Sequence, residues 1–150
     1  MTREELENLL HREQIRLASI SKRATAFFLD ELLLSLLLIV ALWDSFTSAA
    51  NTQELILLTQ QFTMEYIAMK VIYQTFFIYQ YGATLGKLAM RIRVVEIRTL
   101  ANPSIFSAFN RAVFRIISEM FFYLGFIWGM MDPFKRTWHD LSAKTLVVEN

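Results

Sequence analysis

The chain has 150 residues, 55% of them apolar and 14% aromatic, with a net charge of +1 and no cysteine. Together with a mean hydropathy of +0.36, that apolar share exceeds what an ordinary soluble domain carries and points to a small integral membrane protein. The near-neutral charge argues against bulk nucleic-acid binding, and the lack of cysteine removes disulfides, thiolate metal sites and cysteine catalysis together.

Residues 1–22 are expected to form an amphipathic helix on the membrane surface. Thr2 and Glu5 have capping-box spacing, and Leu6, Leu9, Leu10, Leu17 and Ile20 fall near one stripe. Four glutamates in this stretch argue against a signal peptide. His11 reads as a solvated helix residue. The run from Arg23 to Trp43 is almost unbroken in apolar character from Ala24 onward, long enough at about 1.5 Å per residue to cross a hydrocarbon core of about 30 Å. It nevertheless carries Asp30 and Glu31 roughly 10–12 Å from its entrance. A carboxylate at that depth costs a few kcal/mol, about 2.5–3.5 at a helix centre, unless another helix supplies a partner.

Asp44 to Gln61 reads as an outside loop, polar and without Lys or Arg. Five basic residues precede Ala24, and four follow closely after Tyr81. Phe62 to Tyr81 returns through the membrane, with Tyr66, Lys70 and Gln74 four apart on one polar face. The following segment changes period. Met90, Ile92 and Val94 alternate with Arg91 and Arg93, which predicts a strand at the cytoplasmic surface. Within it, GATLGK departs from a phosphate loop: only three residues separate Gly82 from Gly86, and Leu88 stands where Ser or Thr would hold magnesium. The glycines read instead as a helix stop and a tight turn.

Ser104 to Met131 is a third long hydrophobic helix in two halves. The first carries Arg111, Arg115 and Glu119 at successive i+4 positions; the second is apolar, with Gly125 and Gly129 spaced for close helix approach. It either spans, leaving the C-terminus outside, or re-enters, bringing Thr145 to Val148 back to pair with the strand around Ile92. Charge distribution and the cost of an unpaired strand edge favour re-entry. The fold class is thus mainly α: a helical integral membrane protein with two clear transmembrane helices, a spanning or re-entrant third, and a small cytoplasmic β element. It divides into the surface helix at 1–22 and a transmembrane domain at 23–150.

Arg23 followed by Asp30, then GATLGKLAMRIRVVEI, Arg111, and HDLSAKTLVV with Asp140, resemble the RDD family of small bacterial membrane proteins. The resemblance covers Lys22 to Val148. It implies a membrane-embedded protein suspected of transport, with Arg23, Asp30 and Asp140 as the signature Arg and two Asp; Glu31 lies outside that signature.

Physically, Arg23 and Asp30 fall about 20° apart around their helix and face the same neighbour, so Arg23 is placed to offset the acid or hold the interface. Glu31, Lys70, Arg115 and Glu119 can meet near one level with Asp30 as an intramembrane charge cluster. Lys70 and Arg115 compete to neutralise the Asp30–Glu31 pair. Such a cluster either performs a function or pairs to fix helix register. Asp140 beside His139 is a turn or cap acid as readily as a functional one, and the pair is weak as a metal dyad.

The function this suggests is a transporter or transport subunit of the bacterial inner membrane, multi-pass, linked to protons or cations through its carboxylates. Two or three helices seldom enclose a pathway, so a homo-oligomer or a partner membrane protein is expected. The alternative is a non-catalytic scaffold recruiting a partner at the cytoplasmic face. No nucleophile and base stand in a recognisable arrangement for an enzyme, and no cofactor or nucleic acid is expected.

Overall fold

The computed structural model describes residues 1–150, in which six helices precede the first strand of a two-stranded sheet and three separate it from the second. Helix α1, Arg3–Arg12, opens with the capping box: the Glu5 amide donates to Thr2 Oγ1 at 3.2 Å and the Thr2 amide to Glu5 Oε2 at 2.6 Å. It ends ten residues short of the expected boundary, because Gln14 takes a left-handed turn (φ 53°). The chain then runs extended, and Leu17 bridges Val148. The apolar stripe of α1 packs against the sheet. Leu6 is buried with Val95, Ile97, Phe134, Leu146 and Val148, so α1 covers one face of the sheet.

Helix α2, Ile20–Ala41, is capped by Ser19 and is long and apolar enough to cross a membrane. Phe28, Leu36 and Val40 are exposed along it, while Ala26, Asp30 and Leu34 are buried. Past Leu42 the short α3, Trp43–Thr47, follows, and four residues later α4, Thr52–Gln61, leads into α5, Thr63–Tyr81. The expected outside loop over Asp44 to Gln61 is therefore largely helical. No Gly or Pro interrupts residues 24–81, and Asn51 caps α4 by accepting the Glu54 amide at 3.0 Å. Helix α5 carries Glu65, Lys70 and Gln74 and falls short of α2 in apolar character; Lys70, Gln74 and Ile78 are its buried face.

Gly82, in the left-handed region (φ 70°), stops α5. Thr84 caps the five-residue α6, Leu85–Ala89, and β1, Ile92–Glu96, follows. Ser104 then caps α7, Ile105–Met120. The third hydrophobic helix is not continuous: α8, Leu124–Met131, departs from α7 at 103°. Phe122 and Tyr123 turn the chain in left-handed conformations (φ 53° and 62°). Gly125 and Gly129 let α8 fold back closely. A Cβ on Gly125 would stand 3.0 Å from Trp138 Cδ2, and one on Gly129 would stand 2.8 Å from Thr137 Cγ2.

The chain ends with α9, Trp138–Ala143, and β2, Thr145–Glu149. β2 pairs antiparallel with β1 in the register Ile92↔Glu149 to Glu96↔Thr145. The period-two alternation divides the sheet's side chains between two cores. Ile92, Val94 and Val147 join Ala18, Ala26, Ile78 and Ala108 on the helix side, while Val95, Leu146 and Val148 face α1.

Candidate functional site

Three polar assemblies lie where α2, α5, α6, α7 and α9 meet. The first surrounds Asp30, which is wholly buried. Its Oδ1 accepts the Tyr73 hydroxyl at 2.8 Å and the Gly86 amide at 2.9 Å, and its Oδ2 accepts the Thr84 hydroxyl at 2.7 Å. The carboxylate thus caps α6 from another helix, beside the Thr84 that caps it locally. This docking requires Gly86. A Cβ there would collide with the Ala26 carbonyl oxygen and sit 2.8 Å from Asp30 Oδ1. No Lys or Arg pairs with Asp30, so neither Lys70 nor Arg115 neutralises it as expected. Three neutral donors satisfy its oxygens instead.

Glu31 points elsewhere and joins the second assembly. Lys70 Nζ stands 3.0 Å from Glu31 Oε1 and also pairs with Glu119. Arg115 reaches the same two acids, Nη2 to Glu31 at 3.2 Å and Nε to Glu119 at 3.4 Å. Two carboxylates and two cations from α2, α5 and α7 therefore form one balanced network. Tyr66 adds a hydroxyl to Glu31 Oε2 at 3.0 Å, and the Arg115 guanidinium lies 4.5 Å over the Phe27 ring. The structure brings together four of the five residues expected to cluster and leaves Asp30 out. Adjacent residues on a helix diverge by about 100°, so Asp30 faces α6 while Glu31 faces α5 and α7.

The third assembly is built on Asp140, also wholly buried. Asp140 is the reciprocal capping partner of Thr137, accepting its amide at 3.0 Å and its hydroxyl at 2.8 Å on Oδ2. Arg23 pairs with the same oxygen and Arg111 with Oδ1. Arg23 also donates to the Lys135 carbonyl, and Arg111 to the Thr145 hydroxyl. Arg23 therefore does not offset Asp30. Seven residues separate them by roughly 10 Å along the axis, and a helical side chain leans toward the N-terminus, away from the acid. Arg23 meets Asp140 instead, across more than a hundred residues.

Burial alone would raise the Asp140 carboxyl, but Arg23 and Arg111, with the Thr137 amide, outweigh it and hold it well below the usual carboxylate range. Burial, with Arg111, Arg23 and Arg115 adding to it against Asp140, pushes His139 well below an ordinary imidazole. Its neutral ring hydrogen-bonds Thr137 Oγ1 through Nε2 at 2.9 Å.

The reading from spacing did not anticipate Tyr73, Thr84, Gly86 and Thr137 as site residues. Thr84 and Gly86 were detectable as hydroxyl and glycine positions around a helix start, and Thr137 as a Thr three residues before an acid, whereas Tyr73 lies in the middle of α5.

A largely helical chain with one clearly apolar candidate span, and a set of charged groups buried between its helices, has the character of a membrane protein. A family model described as the RDD family matches residues 17–144, and the chain belongs to that family. Helix α1 lies outside the matched residues. No curated relative and no solved structure matches the chain.

Proposed function

We propose that the chain is a multi-pass protein of the bacterial inner membrane that works as a transporter or transport subunit, in a homo-oligomer or with a partner membrane protein. In this reading α2 and α5 span, α7 and α8 form a re-entrant hairpin, and both termini and the sheet are cytoplasmic. Helix α5 is about 28 Å long at 1.5 Å per residue. It buries Lys70 against acids and exposes Met64, Ile72 and Phe76 to lipid. The absence of Lys and Arg between Arg23 and Lys70 supports an outside placement of the α3–α4 connection. In an intact cell, a cysteine introduced at Asn150 is expected to resist an impermeant outside reagent, while one at Asn51 reacts. Labelling at position 150 would put the C-terminus outside and end the re-entrant reading.

The observation that carries transport is the four-charge network of Glu31, Lys70, Arg115 and Glu119 between three helices. Ion pairs shared among four groups can exchange partners when a proton or small cation takes the place of Lys70 or Arg115 at one carboxylate. The side chain of Glu31 keeps 23% of its surface accessible, which gives such an ion an approach. Proteoliposomes loaded with a pH-sensitive dye are expected to show cation-dependent proton flux, and Glu31→Gln to reduce it by about tenfold or more. Flux equal to empty liposomes would reject transport. It would favour the second reading, a non-catalytic scaffold, to which the complete charge balance of the network also lends itself as a register pin.

A further inference from the structure

Beside these assemblies a cleft of about 220 Å³ opens between α2, α6, α8 and the start of α9. Its charged lining is Arg23, Lys87 and Arg115, and none of its eleven lining residues is acidic. Arg23 is committed to Asp140, and Arg115 to Glu31 and Glu119. Lys87, half-buried on α6, makes no ion pair, and its ammonium makes no hydrogen bond. His139 lines the same cleft and is 6% exposed, and its Nδ1 is buried without a partner. The buried surroundings hold five cations, Arg23, Lys70, Lys87, Arg111 and Arg115, against four carboxylates, Asp30, Glu31, Glu119 and Asp140. With Lys87 protonated, one positive charge is in excess, and it sits on the side chain that lacks a partner.

The rest of the lining is apolar. Phe126, Ile127 and Met130 form the α8 wall, and Ile127 and Met130 continue outward as exposed surface, 49% and 69% accessible. An anion that enters here has its charge at Lys87 and a greasy flank along α8. The cleft is smaller than the roughly 300 Å³ at which drug-sized pockets begin, which suits a single head group rather than a nucleotide.

We infer that this cleft binds the phosphate head of an anionic membrane lipid, with Lys87 as its charge partner and the acyl portion lying along Ile127 and Met130. The inference rests on the membrane placement proposed above but not on transport. It is tested in detergent with the purified chain, whereas placement is tested by labelling in cells.

The state of Lys87 agrees with an anion site. Burial lowers its ammonium to about 7, with Arg115, Arg111 and Arg23 adding to burial and Asp30 opposing them. The groups facing it are thus Arg23 and Asp30 from α2, Arg111 and Arg115 from α7, and the neutral His139 from α9. An incoming phosphate raises the lysine again, so binding takes up a proton and weakens as pH rises past that value.

The probes are dihexanoyl phosphatidylglycerol, dihexanoyl phosphatidylcholine and inorganic phosphate, with tryptophan emission from Trp128 and Trp138 as the readout. The anionic lipid is expected to bind about tenfold more tightly than the zwitterionic one, and free phosphate to compete only at about a hundredfold higher concentration. Lys87→Gln should remove the preference and Lys87→Arg should keep it. Between pH 6 and pH 8.5 wild type should lose about fivefold or more in affinity for the anionic lipid, a dependence absent in Lys87→Arg. Met130→Glu puts a negative charge on the exposed rim without removing a cation, and should weaken only the anionic lipid; it decides the matter if Lys87→Gln fails to fold. Equal binding of the two lipids, or an intact preference in Lys87→Gln or Met130→Glu, overturns the site. Free phosphate binding as tightly as the anionic lipid overturns the lipid assignment.

Discussion

Asp140→Leu is expected to be the most damaging single substitution in the chain. The carboxylate is wholly buried and is the shared partner of Arg23 and Arg111. Leucine would leave two guanidiniums with only hydroxyl and carbonyl partners, and would also remove the reciprocal cap from α9. Breaking a buried ion pair by deleting one partner costs about 3–5 kcal/mol, and losing the cap adds about 1 kcal/mol. Thermal unfolding in detergent, followed by circular dichroism, should show the loss as a midpoint lowered by ten degrees or more (about 2–4 °C per kcal/mol for a chain of this size). Asp140→Asn should be milder, since it keeps an acceptor for one Arg. The sign of the pH dependence is fixed by the depressed carboxyl. Its stabilisation is complete above the unfolded value of about 3.9 and is lost only as pH falls toward the lower folded value. The gap between wild type and Asp140→Leu should therefore stay constant from pH 5 to pH 8. A midpoint within two degrees of wild type would show that Arg23 and Arg111 do not depend on this acid.

What could be read in the sequence follows the range of the forces involved. The long apolar helix α2 was legible because apolar character accumulates over twenty residues. The strand at Ile92 was legible because alternation with Arg91 and Arg93 is a local pattern. The α3–α4 connection was misread as a loop although Asn51 and Glu54 stand at capping-box spacing, a signal masked by the polar composition around it. The bend after α7 had no local signal. Phe122 and Tyr123 adopt left-handed backbone without Gly or Pro, held by the Tyr123 amide on the Ser118 carbonyl at 2.8 Å and by the Tyr123 ring edge-on to Phe27 at 6.0 Å.

The candidate site divides the same way. That Asp30, Glu31, Lys70, Arg115 and Glu119 are buried or partly buried charges was readable from their place in or beside apolar runs, whereas Asp140 stood out only through the family resemblance. Which cation meets which acid was not. That depends on the rotation and depth of each helix, fixed here by the fit of Gly86 against the Ala26 carbonyl, and a span pattern says nothing of it.

Lys70→Met should destabilise the protein in detergent, and adding Glu31→Leu should return much of the loss. Lys70 is 5% exposed and bridges Glu31 and Glu119. With methionine in its place, Arg115 alone faces two carboxylates, and the surplus negative charge is buried; the expected cost is about 3–5 kcal/mol. Removing Glu31 as well leaves Arg115 paired with Glu119 one turn away on α7, a balanced pair among apolar neighbours. The Tyr66 hydroxyl, which loses Glu31, still has Ser35 at 3.2 Å. Glu31→Leu alone leaves two cations facing one acid and should also destabilise. The double variant should therefore lie above the sum of the singles by about 1–3 kcal/mol of coupling. Asp30→Asn supplies the contrast: its donors come from α6 and Tyr73 rather than from Lys70, so its effect should add to that of Lys70→Met. Coupling between Lys70 and Asp30 as large as that between Lys70 and Glu31 would mean that the two acids act as one unit. Strict additivity of Lys70→Met with Glu31→Leu would leave Arg115 and Glu119 as the pair that holds the helices together.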